Sequence, residues 1–236
     1  MGIQLGSAGL RDARFRKRRV MNDKQLQQAV IDELDWEPSV DASDIGVTAS
    51  NGVVTLSGYV PTFWQKRKAE WAAQRVKGVK ALVEEIEVKL RGEDRWADDT
   101  IAERALQSLA SDAAVPKDRI TLKVEDGWVT LSGEVDWHFQ KTAAEHDVHN
   151  ITGVRGLSNQ ISIKPQVQRF EVRAKIAKAL ARTAALDAAA ISIQTDDGNV
   201  TLRGKVHSLS ERRLVEDAAW SAPGVTEVND RLTVGV

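Results

Sequence analysis

His146 and His149 stand three residues apart with Glu145 beside the first, a spacing that on a helix brings two imidazoles to one face and resembles half of a metal site. Nothing completes it. There is no H-E-x-x-H pattern and no separated second ligand set, so the expectation is ordinary solvent-facing histidines. A carboxylate recurs at Glu70, Glu145 and Glu216, but general acid–base chemistry needs a pocket and placed partners that spacing does not supply, and a helix cap or ion pair accounts for each. Ser57 and Ser132 precede glycine without the G-x-S-x-G elbow of a nucleophilic serine. Cysteine is absent, which removes disulfides, thiolate nucleophiles, zinc thiolates and lipoprotein acylation together. The chain reads as no enzyme, with no cofactor and no metal.

Residue types suited to binding are better represented. Phe63 and Trp64 precede Lys66, Arg67 and Lys68; Trp137 and Phe139 precede Lys141; a third stretch keeps Arg212 and Arg213 but lacks the aromatics. Rings can sit at a headgroup boundary while neighbouring cations meet phosphate, so these ten residues are the candidate lipid- or partner-binding set. The competing explanation is structural. Trp64 and Phe139 occupy corresponding positions, and both could staple a helix start to a core or pack between domains.

What must position them is a threefold repeat. NGVVTLSGYV begins at Asn51, DGWVTLSGEV at Asp126 and DGNVTLRGKV at Asp197, and Gly-Val follows at Gly78, Gly153 and Gly224. The glycines at 58, 133 and 204 lie 75 and then 71 residues apart. A period of that length defines small domains rather than solenoid turns. Each copy opens with a helical pattern (Leu26, Val30, Leu34; Ile101, Ala105, Leu109; Val172, Ile176, Leu180) and continues as a hairpin with Val54 and Leu56, Val129 and Leu131, or Val200 and Leu202 at period two. A second helix and a closing strand complete the order α-β-β-α-β. The expected fold class is therefore α+β: three two-layer modules, each a mixed three-stranded sheet with two helices on one face and its own separate core.

Nine glycines are assigned structural roles. Gly52, Gly127 and Gly198 supply the hairpin turns; Gly58, Gly133 and Gly204 let the following helix pass close to the sheet or permit a strand-end bend; Gly78, Gly153 and Gly224 lead into the closing strands. Trp128 alternates with inward Val129 and Leu131, so it faces away from the helices. Trp71, Trp96 and Trp220 are assigned to helix and linker packing, and Trp36 to covering the end of the first helix.

Formal charge is close to balanced but unevenly placed, with six basic against one acidic side chain in residues 1–21. The expected boundaries are a basic, disordered tail at 1–21 and modules at 22–90, 95–163 and 168–236. Met21 is a candidate start. Nothing has the length or order of a secretory signal or a membrane span, and the acidic second module is a poor duplex surface, so no specific nucleic acid is expected.

The unit G-x-V-T-L-x-G-x-V, realised at Gly52–Val60, Gly127–Val135 and Gly198–Val206 with the later Gly-Val pairs, resembles the BON family of bacterial osmotically inducible and nodulation-related proteins. The resemblance implies non-enzymatic modules associated with phospholipid interfaces, envelope maintenance and osmotic stress. The resulting expectation is a tandem stress- or envelope-associated protein in weak contact with an anionic phospholipid surface. The alternative is a cytoplasmic scaffold for protein partners. The expected location is cytoplasmic, peripheral to a membrane, with the periplasm left open.

Overall fold

The computed structural model describes residues 21–90, 96–164, 172–181, 190–196 and 198–235. The expected basic tail, Met21 excepted, lies outside them, as does Asp197 of the third hairpin turn.

The first module runs α1 (Asp23–Asp35), β1 (Ile45–Ser50), β2 (Val53–Val60), α2 (Phe63–Arg75) and β3 (Ala81–Val88). Asn22 starts α1 through a capping box: its side chain accepts from the Gln25 amide at 2.9 Å, and the Gln25 side chain accepts from the Asn22 amide at 3.1 Å. Leu26, Val30 and Leu34 then fall on one buried stripe. The second module repeats the order with α3 (Asp98–Ser111), β4 (Ile120–Glu125), β5 (Trp128–Val135), α4 (His138–His149) and β6 (Gly156–Ile163). The third gives α5 (Val172–Ala181), β7 (Ile191–Asp196), β8 (Asn199–Val206), α6 (Leu209–Trp220) and β9 (Glu227–Val234).

In every sheet the middle strand pairs antiparallel with its hairpin partner and parallel with the closing strand. Both hairpin residues have positive φ at Asn51 (54°) and Gly52 (86°), and again at Asp126 (50°) and Gly127 (75°), as a two-residue turn with the twist of the strands requires. The second turn is also clasped from outside. The Asp98 carboxylate, in the first turn of α3, accepts from the amides of Asp126 and Gly127, each at 2.9 Å.

Gly58, Gly133 and Gly204 do not make room for the helix. Their φ values are 124°, 138° and 143°, and a Cβ there would lie 2.0 to 2.2 Å from the carbonyl oxygens of Asp44, Arg119 and Ala190. The obstacle is the backbone entering the module's first strand, which crosses the glycine where it pairs with Ile45, Ile120 or Ile191.

The cores also depart from expectation. The buried side chains of the first two modules form one continuous apolar cluster, whereas the third keeps its own around Ile176, Leu180, Val200 and Leu202. A unit of about 70 residues buries too little surface to be comfortable alone, and fusing two of them relieves that shortage. Trp36 covers nothing, being 85% exposed. Trp128 does turn from the helices: it lies flat over Gly156 and, 53% exposed, lines a gap facing Lys66 and Val88 of the first module.

Candidate functional site at the junction of the second helices

The candidate binding residues all belong to the opening turns of α2 and α6, or to α4 and the residue before it. In each module one cation of this set is tied down. Lys66 Nζ donates to the Ile86 carbonyl at 2.6 Å and pairs with Glu84 at 2.7 Å. Lys141 Nζ donates to the Ile161 carbonyl at 2.7 Å, and Arg212 pairs with Asp230. Burial lowers the pKa of Lys141, against the opposing field of Glu145. These three positions correspond across the repeat, and each fastens its helix to the closing strand.

The remaining candidates diverge. Phe63 is 9% exposed and belongs to the core. Trp137 precedes α4, and its amide donates to the Gln140 side chain at 3.0 Å. Phe139 is 57% exposed. Trp64 meets Trp71 edge-on at 6.0 Å and tilts against His149 at 5.3 Å, with the Lys68 ammonium 4.6 Å from its ring centre. Arg67 pairs with Glu70 at 2.6 Å and reaches Glu145 of the second module at 3.8 Å. Arg213, from the third module, lies 5.3 Å from the Trp71 ring centre.

Thus α2, α4 and α6 converge from three modules around an open cleft of about 600 Å³. Arg67, Trp71, His138, Glu145, His149, Arg213 and Trp220 are among its walls. His138 stacks on Trp220 with centroids 4.3 Å apart and planes within 10°. Burial lowers the His138 pKa; Lys141 adds to the shift, while Asp217 and Glu145 oppose it. Glu216, also on the wall, is pushed upward by burial and then by Asp230.

His149 is not the solvent-facing residue expected. It is 4% exposed, ringed by Phe63, Trp64 and Trp71, and its Nδ1 has no hydrogen-bond partner among the described residues. Burial drives its pKa down to about 4, with His146 and Arg67 adding to the shift. His146 does stand exposed, its ring 4.9 Å away. The reason is packing between modules, to which a pattern read within one module is blind. Trp71 and Trp220 likewise serve the junction rather than their own helices alone.

A signal for these residues was available in the repeat. Trp71, His146 and Asp217 are equivalent, as are Gln74, His149 and Trp220. A helix position that changes so sharply between copies cannot face a shared core, so it faces something peculiar to each copy. Among the described residues no group of acidic, histidine or cysteine side chains could hold a metal ion, and no helix is long and apolar enough to cross a membrane.

A two-layer α-β-β-α-β unit repeated three times, with its second helices meeting at one junction, defines a tandem array of small α+β modules. The description "BON domain" matches residues 22–89, 97–165 and 169–236, and the chain belongs to the BON domain family. Osmotically-inducible protein Y of Escherichia coli (strain K12) is 30% identical over 148 residues, which span 61% of this chain and 74% of that protein. Among solved structures, CdsD, a structural protein of the Type III secretion system of Chlamydia trachomatis, covers 88% of this chain and 91% of its own at 16% identity and a TM-score of 0.24. A structure of the CdsD C-terminal domain covers 92% and 100% at 15% identity and the same score. Scores this low bear on neither fold nor function.

The expected cytoplasmic location is overturned, because the Escherichia coli relative is a periplasmic protein. That expectation rested on the lack of a recognisable export signal or an anchoring cysteine, a weaker ground than kinship along most of the relative's length.

Proposed function

We propose that this chain acts in the bacterial envelope under osmotic stress, as a tandem BON protein in weak, non-catalytic contact with anionic phospholipid. The observation that carries the reading is Phe139, an exposed ring at the start of α4, on one of the three helices that also bring Lys68 and Arg213 to the junction. A ring that reaches the headgroup boundary supplies apolar contact, and each nearby cation adds about 1 kcal/mol at an anionic surface before salt screening. Such contacts are feeble singly. Joined on one chain they raise one another's effective concentration, provided they meet the surface together.

Flotation with phosphatidylglycerol-containing vesicles at low and raised salt tests this. Binding is expected at low salt, weakened by salt and by Phe139→Ser or Lys68→Gln. Folded protein that stays at the bottom of the gradient at every anionic lipid fraction at low salt would remove the lipid assignment.

A further inference from the structure

We propose that Trp71, Arg67 and Arg213 form a binding site for a tetrahedral oxyanion, a phosphate or phosphate ester, at the junction of the first and third modules. Three cations surround the one indole. The Arg67 guanidinium carbon lies 5.6 Å from the Trp71 ring centre, that of Arg213 5.3 Å, and the Lys68 ammonium 5.7 Å. Attraction to the ring face offsets part of their mutual repulsion; an anion among them would offset much more.

The donors there outnumber the acceptors. Trp71 Nε1 is buried with no hydrogen-bond partner among the described residues, and an indole N–H can only donate. Arg213 has no carboxylate within ion-pair distance among the described residues, its described partner being the Trp71 ring. Arg67 is held by Glu70 at 2.6 Å and more loosely by Glu145 at 3.8 Å, so it is the looser of these contacts that gives way when the guanidinium turns a donor toward a ligand. His149, nearly wholly buried, lines the same cleft with an unpartnered Nδ1. Oxyanions suit this arrangement because planar guanidinium forks bind them with two parallel hydrogen bonds.

The acidic groups set the limits of the site. Glu216 and Asp217 stand on the α6 wall and Glu145 reaches Arg67 itself, so a doubly charged ligand is confined to the Trp71 side and must displace Glu145 from Arg67. There it would touch Arg67 and Trp71 of the first module and Arg213 of the third. The third module has its own core and meets the others chiefly through its second helix, and the bound anion would therefore fasten it in place. The inference does not depend on a membrane, since a lipid phosphodiester and a free phosphate present the same oxygens.

The test is calorimetric titration of the full chain with inorganic phosphate, against chloride at matched ionic strength. Saturable binding to phosphate alone is expected, weakened about tenfold or more by Arg213→Gln through the loss of a charge-assisted pair, and unchanged by Arg203→Gln on an exposed position of β8. Arg213 is itself exposed, so its variant keeps the test readable if Arg67→Gln loosens the junction. Equal heats from phosphate and chloride, or full affinity in Arg213→Gln, overturn the site. A second titration identifies the source of the oxyanion. Phosphate that displaces the chain from phosphatidylglycerol vesicles assigns the site to lipid headgroups, and phosphate that binds without displacing it assigns the site to a soluble phosphate. Failure of flotation with the phosphate titration intact removes the membrane reading alone.

Discussion

The imidazole of His149, from the second module, leans on the indole of Trp64, from the first, with ring centroids 5.3 Å apart. That contact joins two domains whose sequences repeat but whose facing residues do not. An uncharged ring is suited to the place. Phe63 and Trp71 complete an aromatic collar, and Arg67 and His146 supply positive field nearby.

The pH response follows from this burial. His149 has its folded pKa lowered from 6.5 to about 4, so as pH falls the unfolded chain takes up a proton that the folded chain refuses. The stability held above pH 6.5 is expected to decline between there and pH 4 by about 3 kcal/mol, the equivalent of the shift, and to level off below. His149→Phe should flatten this part of the profile. Denaturant titrations of both proteins across pH 4 to 7 check it; parallel slopes would remove His149 as the cause.

Substitution of the strand glycines should be costly for a backbone reason. Gly58→Ala and Gly133→Ala each place a methyl near 2 Å from a carbonyl oxygen at a φ that side chains avoid. A loss of about 3 kcal/mol or more is expected in either case. Gly235→Ala, with open space around it, should change the unfolding midpoint hardly at all.

The hairpin clasp makes a smaller claim. Asp98→Ala removes the acceptor for two backbone amides, and about 1 to 3 kcal/mol should be lost from the second module. Faster amide exchange at Asp126 and Gly127 would locate the effect. Unaltered exchange at both would show that water replaces the carboxylate without penalty.

The stack between the second and third modules should be separable from folding. His138→Ala removes the partner of Trp220, and about 0.5 to 1.5 kcal/mol of docking free energy is expected to go with it. Small-angle scattering should report a more extended chain while circular dichroism stays the same. A scattering profile identical to the parent would mean that α6 is held by its other contacts.

The within-module architecture was legible because it depends on local periods and turn chemistry repeated three times. Val54 and Leu56 alternate and Asn51-Gly52 turns, all within a few residues of one another. The opposite holds for Gly58, whose obstacle is the carbonyl of Asp44, brought close only when the hairpin is in register. The fused core of the first two modules and the burial of His149 were hidden for a related reason: both arise where one copy meets another, and a repeat encodes what the copies share. Lys66, Lys141 and Arg212 illustrate the same divide. Their charge suggested a surface role, but their side chains reach 18 to 20 residues along the chain to the closing strand.

The equivalence of Trp71, His146 and Asp217 has a consequence for how such a chain can be rebuilt. Copies with interchangeable interiors would ordinarily tolerate shuffling, yet exchanging the first segment for the last would carry Trp71, Arg67 and Lys68 away together and leave Asp217 at the matching position. The triplication thus has a reading direction written into one helical position, and permuted variants should lose the three-helix junction together with the core that the first two segments share.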